Sequence, residues 1–299
     1  YDLGYRADWA IVALAVLVAV GALWQANPAV ELDSESRQFV PVAVAAVLAV
    51  AAAILGPAVT IKPLAPAELS NNELTVAAYN LRMGYGIDGT FDQVGVAKQI
   101  RKSGAQVVLL SEVDRGWSLN GGQDQLAILA RLLDMDFVFG PAGDQVWGDA
   151  ILTSLPLSQV RALKMPKFDS LTGAAMTMAT VNWNGKPVQL ISTHLQPDFD
   201  DATLRQAQVF ATEMRNAANR GPVIGGGDLN TEPGTVAWRV LIDSGAQDAL
   251  AANRPAPTWS AENPQQQIDH LFVSGQGLTG AAVVQSLLSD HLMIAANVR

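Results

Sequence analysis

The sequence predicts an α/β fold, a two-sheet α/β sandwich over residues 73–299, preceded by two transmembrane helices within residues 1–62. Three observations carry this reading. Two long runs free of charge stand near the start, at residues 9–24 and 39–61. Beyond residue 72, short apolar runs alternate with amphipathic ones. The informative polar residues then fall where the apolar runs stop.

The first run, WAIVALAVLVAVGALW, has Trp9 and Trp24 at its ends, where aromatic belts meet the lipid headgroups. It is short for a hydrocarbon core of ~30 Å, whereas the second, FVPVAVAAVLAVAAAILGPAVTI, is long enough to span. The polar segment ELDSESRQ between them has the size of a loop joining two antiparallel spans. A pair of buried core helices is the alternative, but both runs are apolar all round and lack the polar stripe of a core helix. A cleaved signal peptide fits the first run poorly, because its flanks are acidic as well as basic and a second apolar run follows directly. A hydrophobic content of 49% and a mean hydropathy of +0.20 agree with membrane attachment. One basic residue stands before, between and after the runs (Arg6, Arg37, Lys62), so the positive-inside rule assigns no side. The segment PLAPAELSNN (63–72) reads as a linker that keeps the following domain at the bilayer surface, a multi-pass membrane location with the side open. The chain begins at Tyr1 rather than Met, as a fragment or processed form would.

The net charge of −9 weighs against nucleic acid as the main substrate, because non-specific nucleic-acid binding relies on lysines and arginines that neutralise phosphates. The absence of cysteine excludes disulfides and thiolate metal sites. No protein partner is indicated.

In the 73–299 region, LTVAAYNL (74–81) and QVVLLSEV (106–113) read as buried strands, with a helix over 91–103 whose Val94, Ala97 and Ile100 share a face. A second helix follows at 123–133. Then come DAILT, the run AAMTMATVNW (174–183) and PVQLISTH (187–194), a helix over 202–218, and PVIGGGDLN (222–230). QIDHLFVS (267–274) and LMIAANV (292–298) close the set. Many strands with helices between them fit two packed sheets with helices outside.

Asn80, Glu112, His194, Asp228, Asn230, Asp269 and the pair Asp290–His291 all stand at ends of these apolar runs. Strand ends that converge would gather them in one cleft, where catalytic groups collect on a rigid scaffold. The ordered motifs YNLR, SEVD, STHL, GGDLNTEP, QIDHLF and SDHL resemble the endonuclease/exonuclease/phosphatase superfamily, the DNase I-like group that includes nucleases, sphingomyelinases and inositol phosphatases. EVDRGW, GGQD and WGDAILTSLPL further resemble the C-terminal domain of Cwh43-type membrane proteins, linked to lipid remodelling of GPI anchors.

The resemblance implies a metal-dependent phosphodiesterase using Mg²⁺, with Mn²⁺ as a substitute. Glu112 is then the metal ligand, with Asn80 beside metal and phosphate and Asp290 as an outer ligand or a support for His291. Asp228 orients or deprotonates the attacking water, and Asn230 holds the phosphate and that aspartate. Asp269 fixes the tautomer of His291, and His194 donates to phosphoryl oxygens or protonates the leaving group. Arg82 stands where some nucleases of the group carry an aspartate, which speaks against two metals and offers a phosphate contact instead. Trp147 either lines the substrate mouth or packs, and relatives carry Asn near Asp149. His270 follows Asp269 on a strand, so it faces the other way and reads as structural. The glycines at 225–227 permit close backbone approach. A lipid or glycolipid headgroup is the expected phosphodiester. A membrane-tethered nuclease and a non-catalytic binding domain of the same fold are the alternatives.

Overall fold

The computed structural model describes residue 16 and residues 62–65, 72–168, 173–197 and 201–299. Apart from Val16, the two apolar runs lie outside the described residues, as do residues 66–71 of the expected linker. Among the described residues no helix is long and apolar enough to cross a membrane. The start of the expected linker is tied down, because the Leu64 N–H donates to the Leu132 carbonyl at 2.8 Å.

Among the described residues twelve strands form two six-stranded sheets. The first comprises β1 (Leu74–Asn80), β2 (Val107–Asp114), β3 (Asp136–Pro141), β4 (Trp147–Thr153), β11 (Leu278–Val284) and β12 (Met293–Val298), in the order β11-β12-β1-β2-β4-β3. The second comprises β5 (Leu157–Lys164), β6 (Ala175–Trp183), β7 (Lys186–Thr193), β8 (Val223–Asp228), β9 (Gln247–Asp248) and β10 (Asp269–Ser274), in the order β5-β6-β7-β8-β10-β9. Each sheet has one parallel pair at its middle, β1 with β2 and β7 with β8. A parallel pair needs a crossover, and helices α1 (Gln93–Ser103) and α3 (Ala202–Ala218) supply it. Helices α2 (Gln125–Leu133) and α4 (Val236–Ile242) also lie among the described residues.

The central strands are apolar on both faces because both faces are covered. Between the sheets lie Val76, Leu109 and Ile151 from one and Leu190, Ile224 and Leu271 from the other. On the outer face of the second sheet, Phe210 and Met214 of α3 pack over Ile191, Val223 and Phe272. Burying each such side chain contributes roughly 1.5–3 kcal/mol.

Three sequence expectations need correction. Val94 is 46% exposed, and the buried stripe of α1 is Gln93, Val96, Ala97 and Ile100. The Asp92 carboxylate accepts from the Gly95 N–H at 2.8 Å and sets that phase by starting the helix there. The strand at DAILT begins earlier, at Trp147. Strands β3, β5, β9 and β11 and helix α4 were not expected, since their polar or short segments carry no sustained period.

The glycines of β8 decide how closely the second sheet is drawn together at its working end. Gly227 has φ +138°, and a Cβ there would stand 2.1 Å from the Thr193 carbonyl oxygen. A Cβ on Gly226 would stand 2.0 Å from the His270 carbonyl oxygen. With hydrogen in place of a side chain, β8 fits between β7 and β10, and Asp228 comes into register with Asp269. The Leu195 N–H then reaches the Asp228 carbonyl at 3.0 Å, which brings the chain beyond β7 alongside.

Candidate active site

The ends of β1, β2, β7, β8 and β10 meet on one side of the sandwich, with the segment just before β12. Asn80 closes β1 and is fully buried. Its Nδ2 donates to Asp228 Oδ2 at 2.9 Å and to Glu112 Oε1 at 3.1 Å. Its Oδ1 accepts from the Arg82 N–H at 2.9 Å. A backbone N–H only donates, so this bond fixes the amide orientation. The oxygen is therefore turned to the Arg82 backbone, and the Nδ2 side of Asn80 aligns two carboxylates.

Glu112 sits in a break of the β2–β4 register between Leu110 and Val113, with φ +53°. A bulge of this kind re-aims a side chain, and here it turns Glu112 out of the strand's alternation and into the cleft. Left-handed φ at a non-glycine residue is a strain that functional sites hold. Asn230 likewise has φ +46°. Its N–H donates to Asp228 Oδ1 at 3.1 Å and its Nδ2 to the Leu195 carbonyl at 2.7 Å.

Asp228 is the centre of the arrangement. Its Oδ2 stands 3.5 Å from Nε2 of His194 and 3.6 Å from Nε2 of His291. His291 Nδ1 meets Asp269 Oδ2 at 2.9 Å. Burial works against the His291 imidazolium, but the carboxylates of Asp269 and Asp228 outweigh it and lift the pKa to about 10. Burial raises the Asp269 carboxyl in turn, so the pair holds its shared proton tightly. His194 is pulled down by burial and up by Asp228, Glu112 and Asp149, with a net rise. Both imidazoles are thus favoured as cations beside Asp228.

Several hydroxyls that the sequence did not single out lock these groups. Ser111 Oγ accepts from the Asp228 N–H at 3.2 Å. Ser289 Oγ donates to the Asn80 carbonyl at 2.8 Å and accepts from the His291 N–H at 3.2 Å. Thr258 Oγ1 accepts from the Asp269 N–H at 3.2 Å. No local pattern marks such residues, because each acts on a partner far along the chain.

Trp147, Arg82 and Asp290 stand apart from the cluster. Trp147 is 6% exposed and packs with Ala142 and Ala175, its ring 6.0 Å from that of His194. It is a wall behind the imidazole and not part of a substrate mouth. Arg82 donates through Nη1 to the Gly86 carbonyl at 3.2 Å, and its Nε lies 3.8 Å from Asp290 Oδ2. That pairing turns the Arg82 side chain toward Asp290. Among the described residues Asp290 is not in the groups whose ligand atoms converge. Asp290 still lines the cleft and adds a negative charge that favours the His291 cation.

His270 is fully buried on the opposite side from Asp269, as the strand alternation requires. Its Nδ1 lies 3.2 Å from Asp248 Oδ2 and its Nε2 2.9 Å from the Thr231 carbonyl. Asp248 also pairs with Arg254 and accepts from Trp238 Nε1. This network pins the loop that carries Asn230.

Glu112, His194 and Asp228 offer ligand atoms within 4.8 Å of one another. The two carboxylates, Glu112 and Asp228, face an open cleft and fit a divalent cation that keeps several waters, whereas His194 could join them only in its neutral form. A second convergent group is Asp228, Asp269 and His291. In it the hydrogen bond between Asp269 Oδ2 and His291 Nδ1 takes one ligand atom from each of those residues. The cleft over these residues has a volume of about 760 Å³.

Asp149 on β4 is 1% exposed. Its Oδ2 accepts from the His194 N–H at 3.2 Å, while its Oδ1 has no hydrogen-bond partner. Burial lifts its pKa to about 7. A carboxyl whose folded pKa lies above the unfolded one binds protons more tightly in the folded state, so stability falls as pH rises from about 4 to 7. The burden above that window is up to about 4 kcal/mol. Asp149→Asn removes it but leaves a buried N–H unpaired, which costs about 1–3 kcal/mol. The variant is therefore expected to be about 1–3 kcal/mol more stable than the parent at pH 8 and no more stable at pH 4, measured by urea unfolding. A variant less stable at pH 8 would show that the Asp149 charge is supported by its surroundings.

The fold and site define a phosphoric ester hydrolase. The chain belongs to the endonuclease/exonuclease/phosphatase family, whose sequence profile matches residues 77–291. Solved structures share the fold. An endonuclease/exonuclease/phosphatase protein of Beutenbergia cavernae is 20% identical, with a TM-score of 0.63 over 76% of this chain and 71% of its own. Humanized D. rerio TDP2 is 17% identical, with a TM-score of 0.63 over 77% of this chain and 100% of its own. A mannosyl-6-phosphatase of Bacteroides thetaiotaomicron is 16% identical, with a TM-score of 0.62 over 76% of this chain and 99% of its own. No curated protein matches the chain by sequence.

Proposed function

We propose that the chain is a metal-dependent phosphodiesterase acting at a membrane surface on the headgroup ester of a lipid or glycolipid. The observation that carries the reaction is the single oxygen, Asp228 Oδ2, within 3.6 Å of both imidazole Nε2 atoms and 2.9 Å from Asn80 Nδ2. A base, two cationic donors and an aligning amide then surround one reacting centre.

Water attacks phosphorus as the bond to the leaving alcohol breaks, giving an alcohol and a phosphomonoester. Asp228 orients the water and takes its proton. His291, kept cationic by Asp269, donates to the phosphoryl oxygens, where charge grows. His194 donates to the leaving oxygen, and Asn230 holds the loop between them. Glu112 is the principal ligand of a divalent cation, Mg²⁺ or Mn²⁺, which when bound neutralises charge on the phosphoryl group and the leaving oxygen.

Membrane attachment rests on the two charge-free runs at 9–24 and 39–61. The resemblance of EVDRGW and WGDAILTSLPL to Cwh43-type proteins agrees with a lipid substrate. The test is hydrolysis of mixed phospholipid vesicles and plasmid DNA side by side, with Mg²⁺ present or chelated and Asp228→Ala as control. Metal-dependent release of phosphorylated headgroup, absent in the variant, is expected. Nicked plasmid with intact lipid would replace the lipid reading by that of a nuclease.

A further inference from the structure

Of the chain's three histidines, His194 and His291 line the cleft and His270 does not. His270 is fully buried, its ring stacked on that of Phe272 with centroids 5.6 Å apart. Both of its ring nitrogens nonetheless have partners. Nε2 lies 2.9 Å from the Thr231 carbonyl oxygen, which can only accept, so Nε2 carries a proton. Nδ1 lies 3.2 Å from Asp248 Oδ2 and 3.2 Å from Gln267 Nε2. Arg254 Nε donates to Gln267 Oε1 at 3.1 Å, which turns the Gln267 amide nitrogen toward the ring. A neutral ring accepts from that amide, and a cationic ring donates to the carboxylate. In either state the Nε2 proton stays aimed at Thr231.

Thr231 follows Asn230, where the loop is strained. A φ of +46° at a residue with a side chain persists only when the backbone on both sides is held. On one side, Ser111 Oγ accepts from the Asp228 N–H at 3.2 Å, and the Ile268 carbonyl accepts from the Leu229 N–H at 2.9 Å. On the other side the clamp is the bond from His270 to Thr231. The conformation matters to the reacting centre because Asn230 reaches two of its members. Its N–H donates to Asp228 Oδ1 at 3.1 Å, and its Nδ2 lies 3.1 Å from His194 Nε2. Release of the Thr231 carbonyl lets Asn230 relax, and both contacts loosen with it.

We propose that His270 is a positioning residue for phosphodiester hydrolysis. By donating from Nε2 to the Thr231 carbonyl it holds Asn230 in its left-handed conformation, and through Asn230 it keeps Asp228 and the His194 ring aligned. This rests on the phosphodiesterase reading and adds to it a residue outside the cleft. Asp248 and Gln267 fix the ring from behind.

The test uses the full chain with Mg²⁺ and bis(p-nitrophenyl) phosphate, with circular dichroism to confirm that each variant is folded. His270→Phe keeps a ring against Phe272 and removes the donor. It is expected to lower kcat by about thirtyfold, because misplacement from outside the site costs on that order, with KM changed by about twofold or less. His270→Asn reaches toward Asp248 but not toward Thr231, and should lose as much. This second variant carries the test if His270→Phe does not fold. His270→Gln can place an amide N–H where Nε2 stood, and is expected to stay within about threefold of the parent. In an Asn230→Ala background, His270→Asn should cost only about threefold or less, because residues acting through one another are not additive. Parental kcat in folded His270→Phe or His270→Asn overturns the proposal and leaves the phosphodiesterase reading intact. So does a loss of the same size with and without Asn230, since His270 then acts by another route. No turnover of the diester by the parent removes both readings.

Discussion

Asp228→Asn is expected to lower kcat by about 10³-fold or more while the protein stays folded. The substitution keeps shape and volume but removes the carboxylate that faces both imidazoles. The loss has three parts. The general base disappears, which by itself is worth about 10²–10⁴-fold. The amide group that replaces the carboxylate puts either an oxygen or an N–H toward Asn80 Nδ2, and the second orientation opposes two donors. The charge that favours both histidines as cations is also removed. Because these contributions act only as the reaction proceeds, kcat and kcat/KM should fall together and KM should move little. Steady-state kinetics on a chromogenic diester, with circular dichroism to confirm the fold, make the check. A variant with turnover near that of the parent would remove Asp228 from the reaction.

The legible part of the site is the part made by strand ends. Asn80, Glu112, His194, Asp228 and Asp269 each follow an apolar run, and a chain that alternates apolar strands with polar ends must collect those ends together. The arrangement of the fold was legible for the same reason in its inner strands, β1, β2, β7, β8 and β10, which are buried on both faces. The edge strands were not. β5 is exposed at five of its eight positions with no two-residue alternation, and its residues carry no apolar signal strong enough to separate it from a loop. Short α4 offers too few turns for a period.

What the sequence hid in the site is what depends on distant contacts. Asp149 sits inside an apolar strand, and only the approach of the His194 backbone, 45 residues on, gives it a role. The Asn80 amide is oriented by the Arg82 N–H, a bond that its motif does not announce. Trp259 and Glu232 lie in loops, with nothing in their neighbours to say that both open into the same cleft as His291. Spacing along the chain fixes which residues share a face, but not which strand end a loop folds back upon.

Asp269→Asn tests the electrostatic half of the site. In the parent, His291 holds its proton up to about pH 10, because the Asp269 and Asp228 carboxylates outweigh the penalty of burial. A donor that must be protonated loses activity as pH rises through its pKa, so the contribution of His291 should persist well into the alkaline range. Asparagine keeps a hydrogen-bond acceptor for Nδ1 but takes away the nearer charge, leaving burial to pull the imidazole down. The expected result is a fall in kcat of about 10²-fold at pH 8. The alkaline limb should also move to lower pH, so that the deficit narrows as pH is lowered toward 6. The stability sign follows from the same shift. A histidine raised in the folded state contributes stability that is fully present below its unfolded pKa, near 6.5, and lost as pH rises through about 10. The parent should therefore lose unfolding free energy over that window, and the variant should lose less, since its folded and unfolded values lie closer together. Kinetics and urea unfolding measured on one pH series decide the matter. If the limb stays in place while the rate falls, Asp269 acts by orienting the ring alone. If neither changes, His291 is not the proton donor and the cationic role passes to His194, whose own pKa is raised by Asp228, Glu112 and Asp149 against the pull of burial.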